Sequence, residues 1–407
     1  MGSVLQACSG LGAGGDCADA QRREALFGGM AAPLAPLLAR LLRPEGVDFL
    51  EEACEILSYL VLYGPSPLPA PLWGLLPQLF QAVCGHPTPS LPLAQAFEGG
   101  WAVDLASSML RPLECYMARG PPELFVAGRW EEAGMSYPQM VLGIAEKCLG
   151  MSGVGSEGEC AVGARLAAAA FGNAPAAALD ALLPRTLEQL WRRLLKAETA
   201  ELRRSCLVAF GTMLWHSAEL FVRCAEQAQL APRLFEAWMQ HVCLLRRARD
   251  RRAGVLGLSR LLQLGLAGQL PAVLAPGLPH LARQLAAQSA EVARKRARRA
   301  AGTEETDSEE DEDAGADGCS SGEDDDDFDW DDACGDDGAG FGGGVLPDCP
   351  SALDAVDELH TLRQVLHQAP PPARGQLEAW LGPAELQRWL ADLDAGVAAW
   401  VAASARP

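Results

Sequence analysis

Apolar residues in this chain recur at spacings of three and four over one stretch after another, and almost no run of four to eight residues alternates apolar with polar as a half-buried strand would. The pattern predicts helices near 46 to 63, 69 to 84, 101 to 118, 136 to 150, 162 to 172, 176 to 196, 199 to 215, 229 to 246, 250 to 265 and 277 to 299. Short punctuation such as Gly64-Pro65-Ser66-Pro67 and Gly120-Pro121-Pro122 separates them. Within 199 to 215, Leu202, Cys206, Phe210, Met213 and Leu214 make one apolar stripe, while Glu201, Arg203 and Arg204 face water. A helix of that kind needs neighbours. Paired helices at about 40 to 47 residues per pair match a HEAT or armadillo solenoid, and residues 25–292 hold roughly six such pairs. The expected fold is all-α: a helical solenoid interrupted by a disordered acidic insert.

Four regions follow from the same reading. Residues 1–24 form a Gly-rich flexible tail, 25–292 the helical repeats, 293–350 a basic cluster plus acidic and Gly-rich insert, and 351–407 a C-terminal helical cap. Ser351 and Asp354 offer capping oxygens to a helix carrying Leu359, Leu362, Val365 and Leu366. A final helix carries Leu386, Trp389, Leu390, Leu393 and Trp400.

Charge changes the picture most between Glu304 and Asp337, where nineteen acidic residues stand without one Lys or Arg. The formal net charge is −20, and setting those nineteen aside leaves −1, so the acidity is local. Such a segment cannot bury enough apolar surface to offset the entropy of ordering, and its expected use is to hold basic partners. Glu309, Glu310, Asp311, Asp324, Asp325, Asp326, Asp327 and Asp329 supply the field, and Phe328 and Trp330 place apolar contact groups within it. Ser308 and Ser321, each followed by acids, suit acid-directed kinases, and phosphate there would deepen the charge. Immediately before the tract stand Arg294, Lys295, Arg296, Arg298 and Arg299. Next to a polyanion this cluster reads as a charge partner in cis ahead of a nuclear-localisation signal or a nucleic-acid contact.

Other chemistry is expected to be absent. Gly10-Leu-Gly-Ala-Gly-Gly15 fits the dinucleotide fingerprint without the strand and βαβ unit it needs, and Gly318-Cys-Ser-Ser-Gly322 matches a nucleophile elbow inside the acids. Cys84 with His86, and His241 with Cys243, lack a second zinc ligand pair. No catalytic, cofactor-binding or metal residues are assigned, and the chain is read as no enzyme. Thirteen scattered cysteines read as reduced thiols, with Cys54, Cys148 and Cys206 packed as small hydrophobes. The start lacks a secretory pattern, and the most apolar stretch, Leu166 to Leu179, is too short to span a bilayer, so no membrane insertion is expected.

Several blocks resemble, in order, the importin-beta superfamily, and within it the C-terminal half of the importin-seven and importin-eight branch. They are Asp48-Phe-Leu-Glu-Glu-Ala-Cys-Glu-Ile-Leu57, Leu72-Trp-Gly-Leu-Leu-Pro77, Asp104 with Met109, Leu110 and Leu113, Glu201-Leu-Arg-Arg-Ser-Cys-Leu207, Asp250-Arg-Arg-Ala-Gly-Val-Leu-Gly-Leu258, Asp329-Trp-Asp-Asp332 and Asp357-Glu358. The resemblance implies a karyopherin segment that carries basic cargo, such as ribosomal proteins or histones, between cytoplasm and nucleus, including the nuclear envelope and pore. It also implies contact with nucleoporin Phe-Gly repeats and with the GTPase Ran, although the N-terminal repeats that bind Ran in the family have no counterpart here. Direct nucleic-acid binding is not expected. The alternative is a Ran-independent HEAT scaffold or chaperone for basic proteins.

Overall fold

In the segment Leu183–Leu194, residues Leu183, Leu187, Leu190, Trp191 and Leu194 are buried while Arg185, Glu188 and Arg192 are exposed. One apolar stripe at three-and-four spacing therefore turns a short sequence into a helix with a single buried side. The same logic builds the whole array, seen in a computed structural model that describes residues 17–87, 97–119, 122–152, 156–175, 177–300 and 349–404. Its helices are α1 (Cys17–Leu41), α2 (Leu50–Tyr63), α3 (Ala70–Trp73), α4 (Leu76–Cys84), α5 (Ala106–Arg119), α6 (Pro122–Ala127), α7 (Tyr137–Leu149) and α8 (Glu157–Asn173). They continue with α9 (Leu183–Leu194), α10 (Ala200–Gln227), α11 (Ala231–His241), α12 (Ala248–Leu266), α13 (Leu278–Ala300), α14 (Glu358–Gln368), α15 (Pro371–Leu381) and α16 (Pro383–Ser404). The all-α expectation holds, apart from two small antiparallel ribbons among the described residues. In one, β1 (Gly85–Pro87) pairs with β2 (Phe97–Gly99), with His86 opposite Glu98; in the other, β3 (Arg129–Trp130) pairs with β4 (Met135–Ser136).

The helices form two layers. Helices α2, α5, α8, α10, α12 and α14 each touch the next and make the second layer, while α1, α4, α7, α9, α11 and α13 pack against it as the first. First-layer helices begin at Tyr137, Leu183, Ala231 and Leu278, so the later units are 46, 48 and 47 residues long. Among the described residues five complete pairs precede α13. The sixth pair is α13 with α14, and the acidic tract is inserted inside that unit rather than after it. Helix α14 takes its place beside α12 in the second layer, and α15 and α16 then close the end against α13. The outward positions Arg374, Gln376 and Glu378 of α15 are exposed and polar, as a terminal cap requires.

Helices α10 and α12 cross with almost no side chain between them. A Cβ added at Gly257 would lie 2.4 Å from the Gly211 carbonyl oxygen, and one added at Gly211 would lie 2.7 Å from that of Ala253. Glycine is needed there for close approach, not for a turn.

Several boundaries differ from the periodicity, each for a local reason. The first helix begins at Cys17, inside the stretch expected to be a tail. The predicted helix 69 to 84 is two, because Pro77 sits in the first turn of α4, where its missing N–H costs nothing. Of the expected helix from 176 to 196, residues 177–182 do not join α9: Ala177 has a positive φ of 68°, and Pro184 marks the helix start. The stripe of 199 to 215 continues to Gln227, but at Ser217 the backbone leaves helical geometry (φ −158°, ψ 89°). Helix α10 is long and apolar enough to cross a bilayer, yet most of its apolar stretch is buried within the array, as in a core helix.

Candidate functional site: a charged seam and a strap on the second layer

The second-layer helices bring charged side chains together at their N-terminal ends. Thr199 caps α10 by accepting the Leu202 amide, and Glu157 in the first turn of α8 accepts the amides of Glu198 (2.9 Å) and Thr199 (2.8 Å) and the Thr199 hydroxyl. Burial alone would raise the Glu157 carboxyl, but these hydrogen bonds, with Arg193 nearby, hold it below its usual value. On α10, Arg204 pairs with Glu201 and reaches Asp250 of α12 at 3.6 Å. Burial pushes the Asp250 carboxyl up, opposed by Arg204 and Arg247. Arg251 donates to the Leu245 carbonyl and meets Glu291 of α13 at 2.6 Å.

The seam is densest where α12, α13 and α14 meet. Arg252 donates to Asp354 (2.7 Å) and Glu358 (3.3 Å), and Arg296 donates to Asp357 (2.8 Å). Nη2 of Arg296 also lies 2.7 Å from Glu358 Oε2, close enough for charge attraction though not aligned for a hydrogen bond. The Glu358 side chain is only 4% exposed, so its charge depends on these two guanidiniums. Trp400 of α16 lies against both, 4.5 Å from Arg296 and 5.6 Å from Arg252, which fixes their planes.

Residues 349–357 run as a strap across the same layer. Cys349 forms a disulfide with Cys115 of α5. The Ala352 amide donates to Oδ1 of Asn173 at the end of α8 (2.8 Å), and Asn173 is itself held by donating to the Ala169 carbonyl. Leu353 is buried beside Gly172, with Ala253 and Leu256 of α12, and Val208, Trp215 and Val356 cover this small cluster. Val208 and Trp215 lie on the side of α10 opposite its core stripe, so the strap sits on the outer surface of the second layer. Arg260 lies 4.7 Å from the Trp215 ring centroid and backs it.

Two expectations are corrected here. Cys115 and Cys349 are bonded rather than reduced; 234 residues separate them, so no sequence spacing could pair them. Ser351 and Asp354 cap their own short 3-10 turn (Ala352–Ala355), whereas α14 is capped by Asp357, which accepts the amides of Leu359 (3.0 Å) and His360 (3.3 Å). Cys54, Cys148 and Cys206 are buried as expected. Of the basic cluster, Arg296 finds acids in cis, but they are Asp357 and Glu358 beyond the tract; Arg294, Lys295 and Arg298 are exposed.

Glu309, Glu310, Asp311, Asp324 to Asp327, Phe328, Asp329 and Trp330, the two serines Ser308 and Ser321, and the Gly10–Gly15 motif lie outside the described residues. Among the described residues no group of three or more His, Cys, Asp or Glu is placed to hold a metal ion. Sequence reasoning singled out Arg296, Asp357, Glu358 and the Asp250 block but not what they share; the structure joins them in one seam. Nothing in the sequence marked Gly172 and Asn173 as the seat of the strap.

The chain is 22% identical over 269 residues to an importin beta-like SAD2 homolog of Arabidopsis thaliana, covering 64% of this chain and 24% of that protein. It is 23% identical over 247 residues to a probable importin-7 homolog of Dictyostelium discoideum, covering 59% of this chain and 21% of the relative. The chain thus spans about a quarter of the length of the curated relatives it matches. No protein-family model matches it, and neither does any solved structure. These relatives support the resemblance to the importin-beta superfamily.

Proposed function

We propose that this chain, an importin-beta-like helical array, is a segment of a karyopherin-type transport receptor whose acidic insert holds basic cargo. The observation that carries the reading is the union of the two importin relatives with a polyanion of nineteen acids set inside the sixth helix pair of an otherwise near-neutral chain. Charge attraction of this kind steers a basic protein to the receptor and is weakened by salt. Glu309, Glu310, Asp311, Asp324, Asp325, Asp326, Asp327 and Asp329 act as the charged contacts, and Phe328 and Trp330 as apolar anchors. Phosphate on Ser308 or Ser321 strengthens the field. Movement between cytoplasm and nucleus, passage past nucleoporin Phe-Gly repeats at the pore and release by Ran complete the cycle.

The test is binding of a purified core histone at low salt by the intact chain and by a variant with Asp324 to Asp327 changed to Asn. Weaker binding by the variant, with a shallower salt dependence, is expected; equal affinities and equal salt slopes would sink the assignment. A second reading, a Ran-independent chaperone for basic proteins, rests on the acidic tract alone, because its charge attracts a basic protein with no GTPase contact. GTP-loaded Ran distinguishes the two: it releases cargo from a receptor and leaves a chaperone complex intact.

A further inference from the structure

The strap on the second layer has the character of a bound peptide rather than of a core element. Between its two anchors, the Cys115–Cys349 disulfide at one end and Asp357 on Arg296 at the other, its contacts are of three kinds: apolar side chains at Leu353 and Val356, one backbone amide on Asn173, and the carboxylate of Asp354 on Arg252. The cluster around Leu353 is separate from the main core, which the strap enters at Cys349 and which Val208 also touches. Once the disulfide is open, the segment from Ser351 to Val356 can therefore leave while the main core of the array stays closed.

The receiving surface is formed in advance. Nδ2 of Asn173 donates to the Ala169 carbonyl, which turns Oδ1 outward to accept an amide. Gly172 leaves the space that Leu353 fills: a Cβ there would already touch Leu353 Cδ1 at 3.4 Å. Trp215 is backed by Arg260, and Arg252 is held in place by Glu358 and Trp400. An amide acceptor, an apolar seat and a cation thus stand in that order under residues 352, 353 and 354, where a short peptide would need them.

We propose that the surface of α8, α10 and α12 under residues 349–356 is a peptide-binding groove, occupied in this chain by its own strap. A partner segment with two apolar side chains three residues apart and an acid just after the first, as in Leu353-Asp354-Ala355-Val356, displaces it. Because the strap is tethered, it competes at a high effective concentration, and the Cys115–Cys349 disulfide raises that concentration further. An external dithiol opens the latch by exchange: it takes up the disulfide and leaves Cys115 and Cys349 as thiols. The inference goes beyond cargo carriage by the insert and does not depend on it.

The test uses the full chain and a fluorescein-labelled peptide, Ser-Pro-Ser-Ala-Leu-Asp-Ala-Val-Asp-Glu, read by fluorescence polarisation. The strap-released variant Cys349→Ser, Leu353→Asp is expected to bind it at least about tenfold more tightly than the oxidised wild type does. Adding Gly172→Leu, which fills the seat, is expected to abolish that binding. Equal binding by wild type and released variant, no binding by the released variant, or indifference to Gly172→Leu would each overturn the proposal. Should the variants fail to fold, amide exchange on the wild type decides the matter. With dithiothreitol and excess unlabelled peptide, the Ala352 and Leu353 amides should exchange faster than with dithiothreitol alone, and unchanged exchange would overturn the groove.

Discussion

Glu358 is the residue on which the seam turns, and its removal should unfasten α14. Its carboxylate, 4% exposed, sits 2.7 Å from Arg296 and 3.3 Å from Arg252. Deleting one partner of a buried pair costs about 3–5 kcal/mol, because a charge is left without compensation. Here each guanidinium keeps a second carboxylate, Asp357 for Arg296 and Asp354 for Arg252, so Glu358→Ala should cost less, about 2–3 kcal/mol. Only about 0.5 kcal/mol of that is the loss of an acid from the first turn of a helix. Glu358→Gln keeps the volume and should cost about 1–2 kcal/mol. A helical array does not unfold in one step, so the readout is local: hydrogen exchange of peptides spanning 358–368. A loss of 2–3 kcal/mol speeds exchange there by about 30–150-fold where exchange follows local opening. The control is Glu188→Ala, whose partner Arg192 is 70% exposed and whose pair is worth about 0.5 kcal/mol. If Glu358→Ala changes exchange in α14 no more than Glu188→Ala changes it in α9, the seam does not hold the C-terminal helices.

Three further outcomes follow from the same structure. Gly257→Ala should destabilise by about 1–2 kcal/mol, since overpacking against Gly211 outweighs about 1 kcal/mol of helix propensity. Gly375→Ala, with nothing within 4 Å, should stabilise by about 0.5–1 kcal/mol, and hydrogen exchange of peptides spanning 248–266 and 371–381 checks the pair. Burial pushes the Cys54 and Cys148 thiols up to about 12, so at pH 8 about one in ten thousand is ionised. Iodoacetamide should therefore mark exposed Cys243 in the native chain and reach Cys54 and Cys148 only after urea, as peptide mass mapping would show. His216, buried against Phe171 with Nε2 3.4 Å from Asp180, is held below its ordinary 6.5 by burial, which outweighs Asp180. Its contribution is therefore present above pH 6.5 and lost as pH falls through the lower folded value. The melting temperature of the wild type should drop more between pH 7 and pH 5.5 than that of His216→Gln.

The apolar stripes made the helices and their pairing legible, because a period of three and four residues is a direct consequence of one-sided burial. The stripe of α10 was readable as far as 215, and the backbone break at Ser217 lies just beyond that point. What could not be read were long-range events. The disulfide joins residues 234 apart, and α14 enters the second layer only after the acidic tract. The candidate site was legible in fragments: Arg296 stood in the basic cluster, and Asp357-Glu358 stood in a family block. Their meeting depends on how α13 returns to α14, which no local pattern encodes. Ser351 looked like a helix cap because its residue type and spacing fit one, yet Asp357 stands closer to the first free amides of α14 and takes that role.

The central claim, that the chain holds basic proteins through its acidic insert, is met most directly by recovery from nuclear extract on the immobilised intact chain and on a chain lacking residues 303–340. The account predicts that basic nuclear proteins are recovered by the intact chain, are lost without the insert, and are released by GTP-locked Ran. Recovery of the same proteins by both chains would contradict it.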